Sequence, residues 1–199
     1  MSPIVRNSIL VAVAVLVSLL AASAWVWRAS SREVVTPVTV LNTTGEAGRA
    51  LLIYHPGLSD FPDRITAAFA DGLAKSGWRV DRTTASRQAP SDLGGYDLLV
   101  LGTPVYGDKA AAPLTAYVER IGNFSGKPVA LIFTAAGDAG PALDASATQV
   151  EAQRGRVVGK HGYTTLRPNE AMPGGIGSNS ERAVALAGRA GQVLKVAAP

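Results

Sequence analysis

Three kinds of hydrophobic pattern follow one another along this chain. The first is an unbroken apolar run, "ILVAVAVLVSLLAASAWVW", from Ile9 to Trp27. It carries no charge over about 19 residues, close to the ~20 a helix needs to cross a bilayer. Trp25 and Trp27 end it, where aromatic rings favour the headgroup level, and Arg28 follows. The expected organisation is a flank over 1–8, a transmembrane helix over 9–27 and a linker over 28–48. Within that linker Val34 to Leu41 is expected to form a short extended piece. A second reading stays open for the apolar run. "Ala22-Ser23-Ala24" fits the small-residue site of a cleavable signal peptide. The basic residues Arg6 on one side and Arg28 and Arg32 on the other leave the side of the membrane undetermined.

After Gly48 the pattern alternates between short apolar runs and helical spacing. "ALLIY" (50–54), "WRVDRT" (78–83), "DLLVLG" (97–102), "KPVALIFTAAG" (127–137) and "YTTLR" (163–167) read as strands. The second is expected near an edge. The third is the most apolar and is expected at the centre, buried on both faces. Between them, Ile65, Ala68, Phe69 and Leu73 share one helical face, with Ser59 or Asp60 as N-cap and Gly77 as stop. Leu114, Tyr117, Val118 and Ile121 make a second such face. Leu143, Ala147 and Val150 make a weaker one over 142–154. A short helix is expected within 84–95, and a last helix from about Ser180 to Val196. The "GGIG" at 174–177 reads as a flexible connection.

Strands alternating with helices imply βαβ units and a parallel sheet covered on both faces. The fold class expected for 49–199 is therefore α/β: a doubly wound sheet of five strands in the order 2-1-3-4-5. Ligands bind such sheets beyond the carboxyl ends of the strands, where the order reverses. Three loops fall there: "HPGLSD" (55–60), "GTPVYGD" (102–108) and "TAAGDAG" (134–140).

Charge and composition narrow the chemistry. The net charge is +4, but residues 1–32 hold three arginines and no acid, so the rest carries only +1. No basic run with interleaved aromatics remains, and no nucleic-acid partner is expected. The chain has no cysteine, which excludes thiolate catalysis and cysteine-bound metals. Its two histidines, His55 and His161, read as solvated loop residues. No spacing suits a metal, and no side chain has an evident acid–base role.

The segment "DLGGYDLLVLGTPVYGDKAAAPLTAYVERI", followed by "GKPVALIFTAAGD", resembles the flavodoxin-like family. The resemblance spans about Ala50 to Val196. It implies FMN as cofactor and electron transfer as the task, either as an electron carrier or as an FMN-dependent oxidoreductase. Carried over by position, His55, Gly57 and Ser59 would lie at the FMN phosphate. Thr103, Pro104, Val105, Tyr106 and Gly107 would line one side of the ring. Thr134, Ala135, Ala136, Gly137 and Asp138 would line the other. The first loop departs from the family's Thr/Ser- and Gly-rich pattern. Pro56 lacks an amide donor, and Asp60 puts a carboxylate beside the expected phosphate. Partners implied are the lipid bilayer, through 9–27, and a redox donor or acceptor protein. The alternative is a cofactor-free binding or scaffold module of the same fold at the membrane.

Overall fold

The computed structural model describes residues 2–170 and 177–196. The chain divides into two compact units, residues 1–32 and 33–199. The first is a single helix, α1 (Pro3–Ser30), capped at its start by the Ser2 hydroxyl. It is long and apolar enough to cross a membrane, and a signal sequence near the amino terminus has the same character.

The second unit contains β1 (Thr39–Leu41), β2 (Gly48–Tyr54), α2 (Phe61–Lys75), β3 (Trp78–Thr84), β4 (Leu98–Tyr106), β5 (Lys109–Ala110), α3 (Ala112–Ile121), β6 (Pro128–Ala135), α4 (Gly140–Ala152), β7 (Arg156–Thr164) and α5 (Asn179–Val193). The sheet runs β1-β3-β2-β4-β6-β7, with β5 paired to β4 alone. The pairs β2–β3, β2–β4, β4–β6 and β6–β7 are parallel. These five strands keep the expected 2-1-3-4-5 order. Two antiparallel pairings were not foreseen. β1 comes from the extended piece expected within the linker and pairs with β3, so β3 lies one strand in from the edge. β5 closes a hairpin on β4.

Alternation along the central strands explains the two-sided core. Leu99 and Leu101 join one cluster with Leu114, Tyr117, Leu143 and Val150 from α3 and α4. Leu98 and Val100 join the other with Ile65, Phe69, Ala183 and Ala187 from α2 and α5. All four β4 side chains are essentially inaccessible, as a strand covered on both faces requires.

Several local expectations need correction. The last strand is Arg156–Thr164, not 163–167. Its "RVVGKHGYT" has two glycines and little apolar alternation because most of it is only half-buried, so pairing with β6 rather than hydrophobicity defines it. No helix forms within 84–95. That stretch is a loop whose Ala85, Ala89 and Leu93 reach the core. The two histidines are not solvated loop residues: His55 is 1% exposed and His161 lies in β7, its ring against Phe69. The last helix stops at Val193 and is opened by a capping box between Ser178 and Glu181. Of the "GGIG" stretch, 174–176 lie outside the described residues.

Candidate functional site

The order β3-β2-β4 reverses the direction of winding between β2 and β4, and the loops at that point are 55–60 and the end of β4. Their backbones are joined directly. The His55 N–H donates to the Gly102 carbonyl at 2.9 Å. Gly57, at φ +72°, lies so close to β4 that a Cβ there would come 2.8 Å from Pro104 Cγ and 2.9 Å from the Tyr106 hydroxyl. The Leu58 N–H donates to that same hydroxyl at 3.0 Å. Burial raises the Tyr106 pKa, with the Leu58 N–H opposing it. Tyr106 therefore bridges two of the three loops. Leu58, whose amide makes the bridge, was not singled out in the sequence, because a main-chain donor leaves no residue-type signal.

The second loop is not a free loop. β4 runs on to Tyr106, and Gly107 and Asp108 form a two-residue turn into β5 with φ of +55° and +60°. Left-handed backbone at both turn positions is the geometry of a tight hairpin, and it gives Gly107 a structural reason to be glycine. A Cβ at Gly107 would meet no other atom within 4 Å, so the turn also leaves space around it. Thr103 is buried, and its hydroxyl is committed to the hairpin: it accepts the Ala111 N–H at 3.1 Å and donates to the Pro104 carbonyl at 3.0 Å.

The third loop begins beside the second through the register Pro104↔Thr134. Thr134 and Ala135 are buried, Ala136 and Asp138 are exposed, and Gly137 is half-buried. The Asp138 carboxylate accepts the Gly140 N–H at 2.8 Å and pairs with Arg167 at 3.5 Å. The sequence placed Arg167 at the end of an expected strand, 163–167, with no role at the site; it instead follows β7 in a turn that only the fold brings back to β6.

The electrostatics of the first loop differ from what its composition suggests. Asp60 occupies the N-cap position of α2 but makes no cap bond, and its carboxylate lies 3.7 Å from Arg64 on the next turn. Asp63, in the first turn, is held by the Tyr54 hydroxyl at 2.6 Å and Arg82 at 2.7 Å. Burial works against its ionisation, but these two partners outweigh it and lower its pKa. The Tyr54 phenol is pushed up to about 12, by burial first and then by its bond to Asp63. The Arg82 guanidinium stacks over the Tyr54 ring at 4.0 Å. Both acids near the α2 N-terminus are thus paired with arginines. Ser59 is exposed just before that terminus. The thirteen positions named from sequence divide accordingly: loops one and two meet, strands β4 and β6 align loops two and three, and Thr103 is occupied structurally. Among the described residues no cluster of His, Asp or Glu suits a metal ion.

No family model matches the chain, and no curated protein matches it. Solved structures do match in fold. A flavodoxin from the domain Archaea aligns at TM-score 0.57 and 16% identity, over 73% of this chain and 95% of that one. Megasphaera elsdenii flavodoxin aligns at 0.57 and 16%, over 72% and 99%. A flavodiiron core from Synechocystis sp. PCC6803 aligns at 0.57 and 15%, over 76% of this chain but only 36% of its own length. The second unit has the flavodoxin-like fold, a mostly parallel α/β sheet.

Proposed function

We propose that this chain is a membrane-anchored flavodoxin-like protein that binds FMN at the carboxyl edge of its sheet and exchanges electrons with a partner. The observation that carries the reading is the uncapped amino end of α2. No side chain caps it, the exposed Ser59 precedes it, and the neighbouring carboxylates of Asp60 and Asp63 are drawn to Arg64 and Arg82. A helix terminus with no side-chain cap, whose neighbouring carboxylates are paired with arginines, is suited to an anion. These residues fit the cofactor: Ser59 and the first amides of α2 would hold the phosphate, and Tyr106 with the 134–138 loop would face the ring. When bound, FMN supplies the redox chemistry. The chain's own part is to orient the ring and set the polarity around it. The apolar helix α1 supports the anchor, and retention of residues 9–27 in the mature protein is part of the proposal.

One observation favours the cofactor-free scaffold instead. The Tyr106 hydroxyl already takes the Leu58 amide, a donor a phosphate would otherwise use. Titrating FMN fluorescence separates the two readings. Tyr106→Phe frees the amide and keeps the ring, so FMN should bind at least as tightly as to wild type. Tyr106→Ala should weaken it by about 0.5–1.5 kcal/mol from lost stacking. Asp60→Ser should tighten binding only slightly, because the Asp60 carboxylate is solvent-exposed and lies 3.7 Å from Arg64. Absence of quenching for all of these at about 100 μM protein, well above the Kd that ~−7 kcal/mol gives, would establish the scaffold reading.

A further inference from the structure

The chain joins the second unit at one particular place. The Val34 carbonyl accepts the Thr84 hydroxyl at 2.5 Å, Thr36 bonds to Thr83 and Thr84, and the Arg87 N–H donates to Glu33. Thr84 is the last residue of β3. Residues 33–36 therefore lie at the carboxyl edge of the parallel strands, the edge that bears the loops described above. β1 then runs antiparallel along β3 toward the opposite edge. The extended piece expected from Val34 is thus pinned at its first residues.

Covalent reach makes this consequential. The helix ends at Ser30 and the first pinned carbonyl is at Val34. Four residues span at most about 14 Å, whatever angle they take. A seven-residue strand is about 23 Å long. A tether fixed at the carboxyl edge thus reaches the bilayer with that edge far more readily than with the amino edge.

A second observation falls on the same rim. Among the described residues beyond α1, seven large hydrophobic side chains are exposed: Val34, Val35, Val38, Val40, Leu58, Leu166 and Val193. Four of them, Val34, Val35, Leu58 and Leu166, lie at the carboxyl edge. Leu166 is 81% exposed, and its N–H bonds to the Ala136 carbonyl just beyond β6, which places it beside the third loop. Charges on this rim are mixed. Asp60, Asp108 and Lys109 are exposed there, Arg87 pairs with Glu33 at 3.9 Å and Arg167 with Asp138 at 3.5 Å, so among the described residues no basic patch selects anionic lipid.

We infer that the carboxyl rim of the sheet is a lipid-contact surface, with Leu58 and Leu166 seated in the bilayer interface. This rests on the anchored reading of α1. Any electron partner then meets the site from the membrane and is itself lipid-soluble or membrane-held.

The absence of cysteine permits a direct test on the full chain. Leu58→Cys, Leu166→Cys and Thr44→Cys each take one nitroxide label; Thr44 is exposed in the β1–β2 turn at the opposite edge. The labelled proteins are placed in zwitterionic and in partly anionic lipid nanodiscs, and label access to oxygen and to a water-soluble nickel chelate is read by power saturation. All three side chains are exposed, and circular dichroism checks that each variant is folded. The expected result is a several-fold shift toward oxygen for the Leu58 and Leu166 labels relative to Thr44, the same in both lipids. Equal access to the chelate at all three sites overturns the inference while leaving the anchor intact. A shift confined to anionic lipid overturns the apolar contact. A chain that fails to co-float with vesicles overturns the anchored reading, and the inference with it.

Discussion

On one face of the sheet α2 and α5 touch backbone to backbone. On the other, α3 and α4 share the cover with the helix-free loop between β3 and β4. The first face depends on glycine. A Cβ at Gly191 would come 2.2 Å from the Phe69 carbonyl, and one at Gly72 would come 2.1 Å from the Gly188 carbonyl. Small residues let the two helices approach until apolar contact is continuous. The second face depends on polar clamps. The Tyr117 hydroxyl donates to the Pro90 carbonyl at 2.5 Å, and Arg120 donates to the carbonyls of Ser86 and Ala89 at 2.9 and 2.8 Å. These bonds satisfy loop carbonyls that would otherwise need water, and they press Ala85, Ala89 and Leu93 into the core. A sheet can thus be covered equally well by close helix packing or by an irregular segment with its backbone polar groups paired.

Equal cover is the first thing to break. Leu98 faces the helix pair and Leu99 the clamped loop side, and both are fully buried. Each Leu→Ala change should cost about 2–5 kcal/mol in urea denaturation. A loss below about 1 kcal/mol for Leu99→Ala alone would mean that the loop side yields and the two faces are not equivalent.

The glycine contact comes next. Gly191→Ala should cost about 1–3 kcal/mol, since backbone rather than a flexible side chain stands in the way. Gly188→Ala is the internal control. Its Cβ would lie 3.5 Å from the Ala68 carbonyl, an ordinary contact, so the change should be neutral or gain up to about 1 kcal/mol from helix propensity. Similar melting temperatures for the two variants would refute backbone contact as the organising feature of that face.

The clamp should be weaker. Arg120→Met keeps the aliphatic stem and removes both donors. A loss of about 1–2 kcal/mol is expected, toward the lower part of the range for charged hydrogen bonds because the side chain is solvent-accessible. Limited proteolysis should show faster cleavage within 86–90, with the α2–α5 side unchanged.

The smallest effect concerns pH. His161 packs on Phe69 from β7, and burial lowers its pKa below the ordinary 6.5. The folded state therefore prefers the neutral ring, and the unfolded chain binds the proton first. The stability this contributes is complete above about pH 6.5 and is lost as pH falls through that value toward the folded-state pKa. The melting temperature of wild type should drop across this window by more than that of His161→Phe. Parallel curves for the two would remove His161 from the account.

How far the fold could be read from sequence depends on the kind of signal each element left. β4 was plain because a strand covered on both faces is apolar at every position. α3 was plain because Leu114, Tyr117, Val118 and Ile121 recur at helical spacing. β7 left little trace, since a half-buried edge strand with Gly159 and Gly162 is defined by its hydrogen bonds to β6. β1 was legible only as an extended piece, and its pairing to β3 was hidden for the same reason. At the candidate site, the three loops and their positions at the strand ends were legible from the alternation of elements. Their engagement was not: the Tyr106–Leu58 bond, the turn at Gly107 and the Asp138–Arg167 pair join residues far apart in sequence or use main-chain groups.

The sequence by itself determined an apolar first helix, the parallel 2-1-3-4-5 core and the loops that ring its carboxyl edge, because burial periodicity is written in residue types. Only the tertiary structure decided that residues 33–36 are pinned at that same edge, that Tyr106 closes the first loop, and that Asp60 leans toward Arg64 rather than into the site. Those outcomes depend on backbone donors and on distances between strands, and no residue type encodes either.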